Sequence, residues 1–248
     1  DVDTWSACRS KETAPATYNK EAETLRLTLA FAVERGALQR NPATHLKRRK
    51  VGKPQLAVPT REQFTALLAE LRRDYRAQGA GDLVEFLAAS GCRLGEAVSI
   101  RWRDVDWLRG KLTIGADGQT KNGEARTIPL FPPLRAFLEA HRANNPDATP
   151  DAKLLPILNA KTAITNACRR LGLPVFSHHK MRHYFATNAI EAAIPPHIVA
   201  GWLGHRDGGQ LVCRVYGHLR HEASELFAQR LTWDAPANIV PLPVAVNQ

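Results

Sequence analysis

Gly91-Cys92-Arg93-Leu94-Gly95-Glu96 is the stretch on which the reading of this chain turns. Its arginine falls on a turn between two helical patterns, where a long side chain reaches into a cleft. Four later segments carry matching chemistry: Thr120-Lys121-Asn122-Gly123, His179-Lys180-Met181-Arg182-His183, Leu203-Gly204-His205 and Tyr216-Gly217-His218. Two arginines, one lysine and two histidines make a donor set that suits a phosphate with charge on several oxygens. The nucleophile at the end of that set is the hydroxyl of Tyr216. The residues therefore point to attack on a phosphodiester by a protein side chain.

Working outward from Arg93, Thr60-Arg61-Glu62-Gln63 reads as a capping box opening a helix through Phe64, Leu67, Leu68 and Leu71. Asp82 is read as the start of a second helix through Leu83, Phe86 and Leu87, ending near Gly91, and a short third helix is expected from Leu94 towards Ile100. Residues 105–114 read as one strand and 125–130 as another, with Lys121 on the tip of the hairpin between them. Helices are expected after Pro132-Pro133, with Leu134, Phe137, Leu138 and His141 on one face, and over residues 160–171, closed by Gly172. Ser177 starts the next, whose His179, Arg182 and His183 share a face by their spacing. Pro195-Pro196 opens a short helix ending at Leu203-Gly204-His205, followed by helical segments at 211–216 and 219–231 and a flexible tail at 234–248.

Before residue 60 the chain changes character. Residues 1–18 are polar and read as irregular; residues 19–36 form a helix-length segment with Leu25, Leu27, Leu29 and Phe31, ending at Gly36 before Asn41-Pro42. Residues 45–59 hold five basic residues, Lys47, Arg48, Arg49, Lys50 and Lys53, and no acidic one. That segment reads as an interdomain linker able to lie against phosphates, or as a solvated basic connector.

Composition sets outer bounds. The 248 residues fit one large domain or a domain with a smaller companion, and 44% hydrophobic with 23% charged residues is ordinary for a globular protein. Lys and Arg number 34 against 24 acidic residues, a net charge of +10, which suggests a polyanionic partner or simply solubility charge. Cys8, Cys92, Cys168 and Cys213 lie far apart with no metal-ligand spacing, so neither zinc nor disulfides are expected, and a reducing cytosol is the default compartment. No apolar run is long enough to cross a membrane. The chain opens on Asp1 and has a single methionine, Met181, so its natural N-terminus is expected to be missing.

The order Gly-Cys-Arg-Leu-Gly-Glu, hairpin Lys, His-x-x-Arg-His, Leu-Gly-His, Tyr-x-His resembles the tyrosine recombinases of the phage integrase type, over residues 60–231. Residues 17–50 resemble the end of that family's helical core-binding domain. The resemblance implies a mainly α fold with a small antiparallel β-sheet. It implies a truncated core-binding domain of the SAM-like kind at 1–50, a basic linker at 51–59, a catalytic domain at 60–233 and a tail at 234–248. One departure is visible: Tyr216 follows His205 by eleven residues, slightly more than is usual, with the excess at Gly208-Gly209.

The resemblance also implies a mechanism. Arg93 and Arg182 would bind the non-bridging oxygens, and His205 would hydrogen-bond one of them. His179 would act as general base, Lys121 would protonate the leaving 5′ oxygen, and Tyr216 would take the phosphoryl group as a 3′-phosphotyrosine. Glu96, one helical step from Arg93, would orient the site from behind. No metal and no other cofactor is implied. The implied partner is double-stranded DNA, bound by a homotetramer that is a monomer or weak dimer when free, in the cytoplasm or nucleoid and not at a membrane. Integration or excision of a mobile element is the implied outcome. The alternatives are an accessory DNA-binding protein of the same fold without catalysis, and a type IB topoisomerase.

Single residues have plainer readings too. Arg93 could be a surface ion-pair partner of Glu96, Lys121 a solvated hairpin residue, His183 a core or cap histidine, His218 a helix-start residue and Tyr184 aromatic core.

Overall fold

The structure is a computed structural model that describes residues 1–52, 58–74, 77–118, 124–205, 208–210 and 212–213. Lys53, Lys121, Tyr216 and His218, the expected helix at 219–231 and the tail at 234–248 lie outside the described residues. The chain divides into two compact units, Asp1–Leu56 and Ala57–Gln248.

The first unit corrects the reading of residues 1–18 as irregular. They hold α1 (Val2–Glu12) and the start of α2 (Pro15–Glu34), which begins at a proline in its first turn. No residue of α1 is fully buried, so it shows no apolar stripe to read. Polar contacts hold it instead. The Asp1 carboxylate accepts from the Thr4 backbone N–H at 2.8 Å, and Arg9 forks onto Glu21 at 2.9 and 2.6 Å. The Trp5 ring stacks on Tyr18 with centroids 5.8 Å apart. The core of this unit is small: Tyr18, Ala22, Ala43 and Leu46. Leu27 and Phe31 of the apolar helix segment are not part of it; they are exposed.

The second unit is built round α4 (Gln78–Ser90), which buries residues on all sides, including Leu83, Val84, Phe86 and Leu87. It packs against α3 (Arg61–Arg73), α6 (Pro132–Ala143) and α8 (His178–Glu191), and α3 also packs on α7 (Lys161–Arg170). The Thr60–Gln63 capping box is present, and α6 buries Leu134, Phe137, Leu138 and His141. Asp82 does not start α4, which begins a turn earlier. Its carboxylate faces the side chains of Arg72 and His141 at 4.0 and 3.7 Å, which is what an acidic residue on an otherwise apolar helix needs.

After α5 (Leu94–Ala97) and a short 3-10 helix at Trp102–Asp104 comes a three-stranded antiparallel sheet, β1 (Val105–Asp106), β2 (Lys111–Ile114) and β3 (Arg126–Pro129), in that order. The sequence pattern merged β1 and β2 into one strand. A turn separates them, closed by the Arg109 N–H on the Asp106 carboxylate at 2.8 Å and by Gly110 with φ +63°. Ile114 pairs with Arg126, so Arg126 stands at the first rung of β3, at the base of the connection that contains Lys121.

Two helix ends place the site. α4 stops at Gly91 (φ +67°), and α9 (Pro196–Leu203) stops at Gly204 (φ +68°), which leaves His205 just past the helix end with its N–H on the Ala200 carbonyl at 2.9 Å. A Cβ at Gly91 would lie 2.6 Å from Phe185 Cδ1, whereas one at Gly172 (φ +64°) would meet nothing within 4 Å. Gly91→Ala is therefore expected to lower the unfolding free energy by about 2 kcal/mol or more, and Gly172→Ala by only about 1 kcal/mol. Urea titrations of the two variants read the difference.

Candidate active site

Arg93 is the residue that starts α5. Its own backbone is extended, so its chain leaves the Gly91 turn and its side chain is half-buried. Three residues on, the side chain of Glu96 is only 3% exposed. Its carboxylate takes the Arg93 backbone N–H at 2.9 Å and Arg93 Nη1 at 2.7 Å. The Arg93–Glu96 pair thus exists, but it is not a surface pair: the acceptor is buried, where an unpartnered charge would be costly.

A second guanidinium, one that the sequence motifs do not contain, completes the arrangement. Arg126 of β3 places Nη1 and Nη2 on the two oxygens of Glu96 at 3.1 and 2.7 Å, and its Nε donates to the Trp202 carbonyl at 2.8 Å. Burial alone pushes the Glu96 carboxyl upward. The hydrogen bonds from Arg126 and from Arg93 outweigh it and hold the group at about 2. No local signal in Arg126-Thr127-Ile128-Pro129 marks the arginine, because its partners come from α5 and α9, far along the chain.

Arg182 lies on α8 and is buried. Its Nη1 donates to the Gly91 carbonyl at 2.8 Å, and its Nη2 to the Leu203 carbonyl at 2.7 Å and to His205 Nε2 at 3.0 Å. An arginine only donates, so Nε2 of His205 accepts and the neutral ring carries its proton on Nδ1. Burial, and then the nearby charge of Arg93, push Arg182 down to about 10, which leaves it protonated at neutral pH. Arg182 therefore pins the end of α4 to the end of α9, and Arg93 and His205 are held from the same two ends.

His179 is exposed one turn before Arg182, with its ring 4.5 Å edge-on from that of His183. Burial, Arg182 and Arg93 all lower its pKa, so it is neutral and able to accept a proton at pH 7. His183 is pushed down to about 4, by burial first and then by His179. Tyr184 is stacked on Phe64 at 4.5 Å, as aromatic core. Arg93 is thus in contact with Glu96 and Arg182 with His205, the two pairs being related through the Gly91 turn, and His179 lies within electrostatic reach of both arginines.

The basic linker is less uniform than its sequence. Lys47, Arg48 and Lys50 are exposed, but Arg49 turns inward, with Nη1 on the Ser10 carbonyl at 2.7 Å and its guanidinium over Tyr18 at 5.7 Å. Among the described residues no group of histidine, cysteine, aspartate and glutamate is placed to hold a metal ion, and no helix is long and apolar enough to cross a membrane.

A model of the phage integrase family matches residues 58–223, more than half of the chain and every segment just described round Glu96. The chain belongs to the phage integrase family, the tyrosine recombinases. It is 25% identical over 233 residues to the tyrosine recombinase XerC of Roseiflexus castenholzii, covering 87% of this chain and 72% of the relative. It is 27% identical over 235 residues to XerD of Caulobacter vibrioides, covering 84% and 74%. The fold resembles that of the Tn1549 transposon integrase in complex with a circular intermediate DNA, with a TM-score of 0.73 and 16% identity over 93% of this chain and 84% of that one. It also resembles the lambda integrase tetramer bound to a Holliday junction, with a TM-score of 0.67 and 18% identity over 84% and 64%.

The buried carboxylate gives this member of the family a defined acid sensitivity. Glu96 titrates near 4.5 when free and at about 2 in the fold. Its folded form binds a proton less readily, so its contribution to stability is complete above about pH 4.5 and is lost as the pH falls towards 2. That contribution is on the order of 3 kcal/mol. Chemical denaturation of wild type and Glu96→Gln across pH 2–6 is expected to show a steep acid loss in the first and a flattened one in the second.

Proposed function

We infer that this recombinase cleaves and rejoins double-stranded DNA through a covalent phosphotyrosine, with Arg93, Lys121, His179, Arg182, His205 and Tyr216 in catalytic roles. The observation that carries this reading is the convergence of Arg93 and Arg182 on the single turn at Gly91, which lies 91 residues before Arg182 in the chain. Three guanidiniums, those of Arg93, Arg126 and Arg182, stand round one carboxylate, Glu96, so two positive charges are left uncompensated in a largely buried place. A phosphodiester moving to its transition state gains negative charge on its non-bridging oxygens, and fixed cations with no water to reorganise stabilise that gain.

Tyr216 attacks the phosphorus in line, and the bond from phosphorus to the 5′ oxygen breaks. The products are a 3′-phosphotyrosine and a 5′-hydroxyl. His179, neutral at pH 7, accepts the phenol proton, and Lys121 supplies the proton of the leaving 5′ oxygen. A phosphate oxygen arriving at Arg182 takes the Nη2 donor that His205 Nε2 now accepts, and His205, in the tautomer with its proton on Nε2 in place of Nδ1, then donates to the phosphate. The phosphotyrosine conserves the energy of the broken bond, so religation to a second strand requires no ATP, and the guanidiniums supply the positive charge that a metal would otherwise bring. Two duplexes with four cleavage points call for four copies, so the active species is a homotetramer on DNA, formed from a monomer or weak dimer. Lambda integrase, captured as a tetramer on a Holliday junction, supports that assembly by its likeness of fold. Integration or excision of a mobile element is the outcome this chemistry serves.

The target sequence is found in the same experiment that tests the reaction. Full-length chain is incubated with a random-sequence library of nicked suicide duplexes, denatured in SDS, and DNA that remains bound to protein is sequenced. Wild type is expected to retain DNA through its 3′ end, Tyr216→Phe to retain none, and Arg182→Ala to form adduct about 10²–10³-fold more slowly. Adduct from Tyr216→Phe equal to that of wild type would remove Tyr216 as the nucleophile.

A further inference from the structure

We propose that Arg126 is a positioning residue of this site, which holds Glu96 and thereby keeps the guanidinium of Arg93 turned towards the substrate. The role rests on the phosphoryl-transfer reading above and goes beyond it.

The geometry argues for this through the acceptor capacity of one carboxylate. Each Glu96 oxygen takes two donors. Oε1 takes Arg93 Nη1 at 2.7 Å and Arg126 Nη1 at 3.1 Å; Oε2 takes the Arg93 backbone N–H at 2.9 Å and Arg126 Nη2 at 2.7 Å. Arg93 therefore gives Glu96 a single side-chain nitrogen, which leaves the rest of its guanidinium for another ligand. Without Arg126 the buried carboxylate keeps two donors, and the nearest cation able to satisfy it is Arg93 itself. A fork of Arg93 onto Glu96 satisfies the carboxylate at the expense of the pose that faces the phosphate.

The third nitrogen of Arg126 does a second job. Nε on the Trp202 carbonyl ties β3 to the end of α9, next to the Leu203 carbonyl used by Arg182 and two residues before His205. The sequence of that turn is consistent with this. A Cβ at Gly204 would stand 3.0 Å from Arg126 Nη1 and 3.2 Å from its Cδ, so the glycine leaves room for the arginine as well as supplying the positive φ. A lysine at 126 would keep the charge but could not reach Trp202 and both Glu96 oxygens at once.

The charged and titratable groups round Glu96 are Arg93 ahead of α5, Arg126 on β3 and Arg182 on α8, with the Cys92 thiol, raised to about 11 by burial, beside them. Loss of Arg126 removes two of the four hydrogen bonds, and one of the charges, that keep Glu96 ionised. Glu96 is then protonated at a higher pH than in wild type.

The test uses suicide duplexes of the sequence that wild type selects. Arg126→Met is expected to slow single-turnover adduct formation by about 10²-fold while leaving the Kd for the same DNA nearly unchanged. Arg126→Lys should fall between it and wild type, and it carries the test if Arg126→Met does not fold. In both, acid unfolding followed by chemical denaturation across pH 2–6 should begin at a higher pH than in wild type. Because the effect runs through Glu96, Arg126→Met added to Glu96→Gln should slow that variant by no more than about two- to threefold. A folded Arg126 variant with the wild-type rate and acid-unfolding profile overturns the positioning role, as do losses that multiply with those of Glu96→Gln. If wild type forms no adduct at all, the phosphoryl-transfer reading falls, and the role of Arg126 with it.

Discussion

A buried carboxylate between two guanidiniums is the constraint on which the second unit depends. Arginine side chains repel one another, and bringing Arg93, Arg126 and Arg182 into one neighbourhood is feasible only because Glu96 sits at its centre. Glu96 in turn is tolerable inside the protein only because every oxygen is occupied. The two requirements lock each other. The result is a surplus of positive charge held by protein groups, not by solvent, which is the condition under which an anionic transition state is stabilised most.

The backbone takes part as much as the side chains do. Helices α4 and α9 both end at a left-handed glycine, and the carbonyls freed at those ends, of Gly91, Trp202 and Leu203, are the acceptors that fix Arg182 and Arg126. Helix C-termini carry partial negative charge, so each is a natural seat for a cation. The site is thus assembled from two helix ends, one strand and the middle of α8, and each contributes something the others need.

Much of this could be read along the chain. The capping box at Thr60, the apolar spacing of α3 and α6, and the proline and glycine limits of α7 and α9 are local signals, and the elements lie where those signals put them. Two elements were hidden for opposite reasons. Helix α1 has no buried face, so it leaves no periodicity; β1 is only two residues long, too short to show an alternation of its own, so the Gly110 turn after it passed unread. Asp82 carried the chemistry of a helix start, yet sits inside α4 as the partner of Arg72 and His141.

The sequence by itself determined the residue types of the site, their order, and the turns and helices that carry them, because caps, glycines and motif spacing are properties of neighbours in the chain. Only the tertiary structure decided which charges meet. Arg126 joined Glu96 and Trp202, Arg182 reached Gly91 and His205, and Arg49 turned into its own small core. Each of these depends on partners at least twenty-one residues away. An arginine's partner is chosen by which buried acceptor lies within reach of its guanidinium once the helices have packed, and no local pattern encodes that distance.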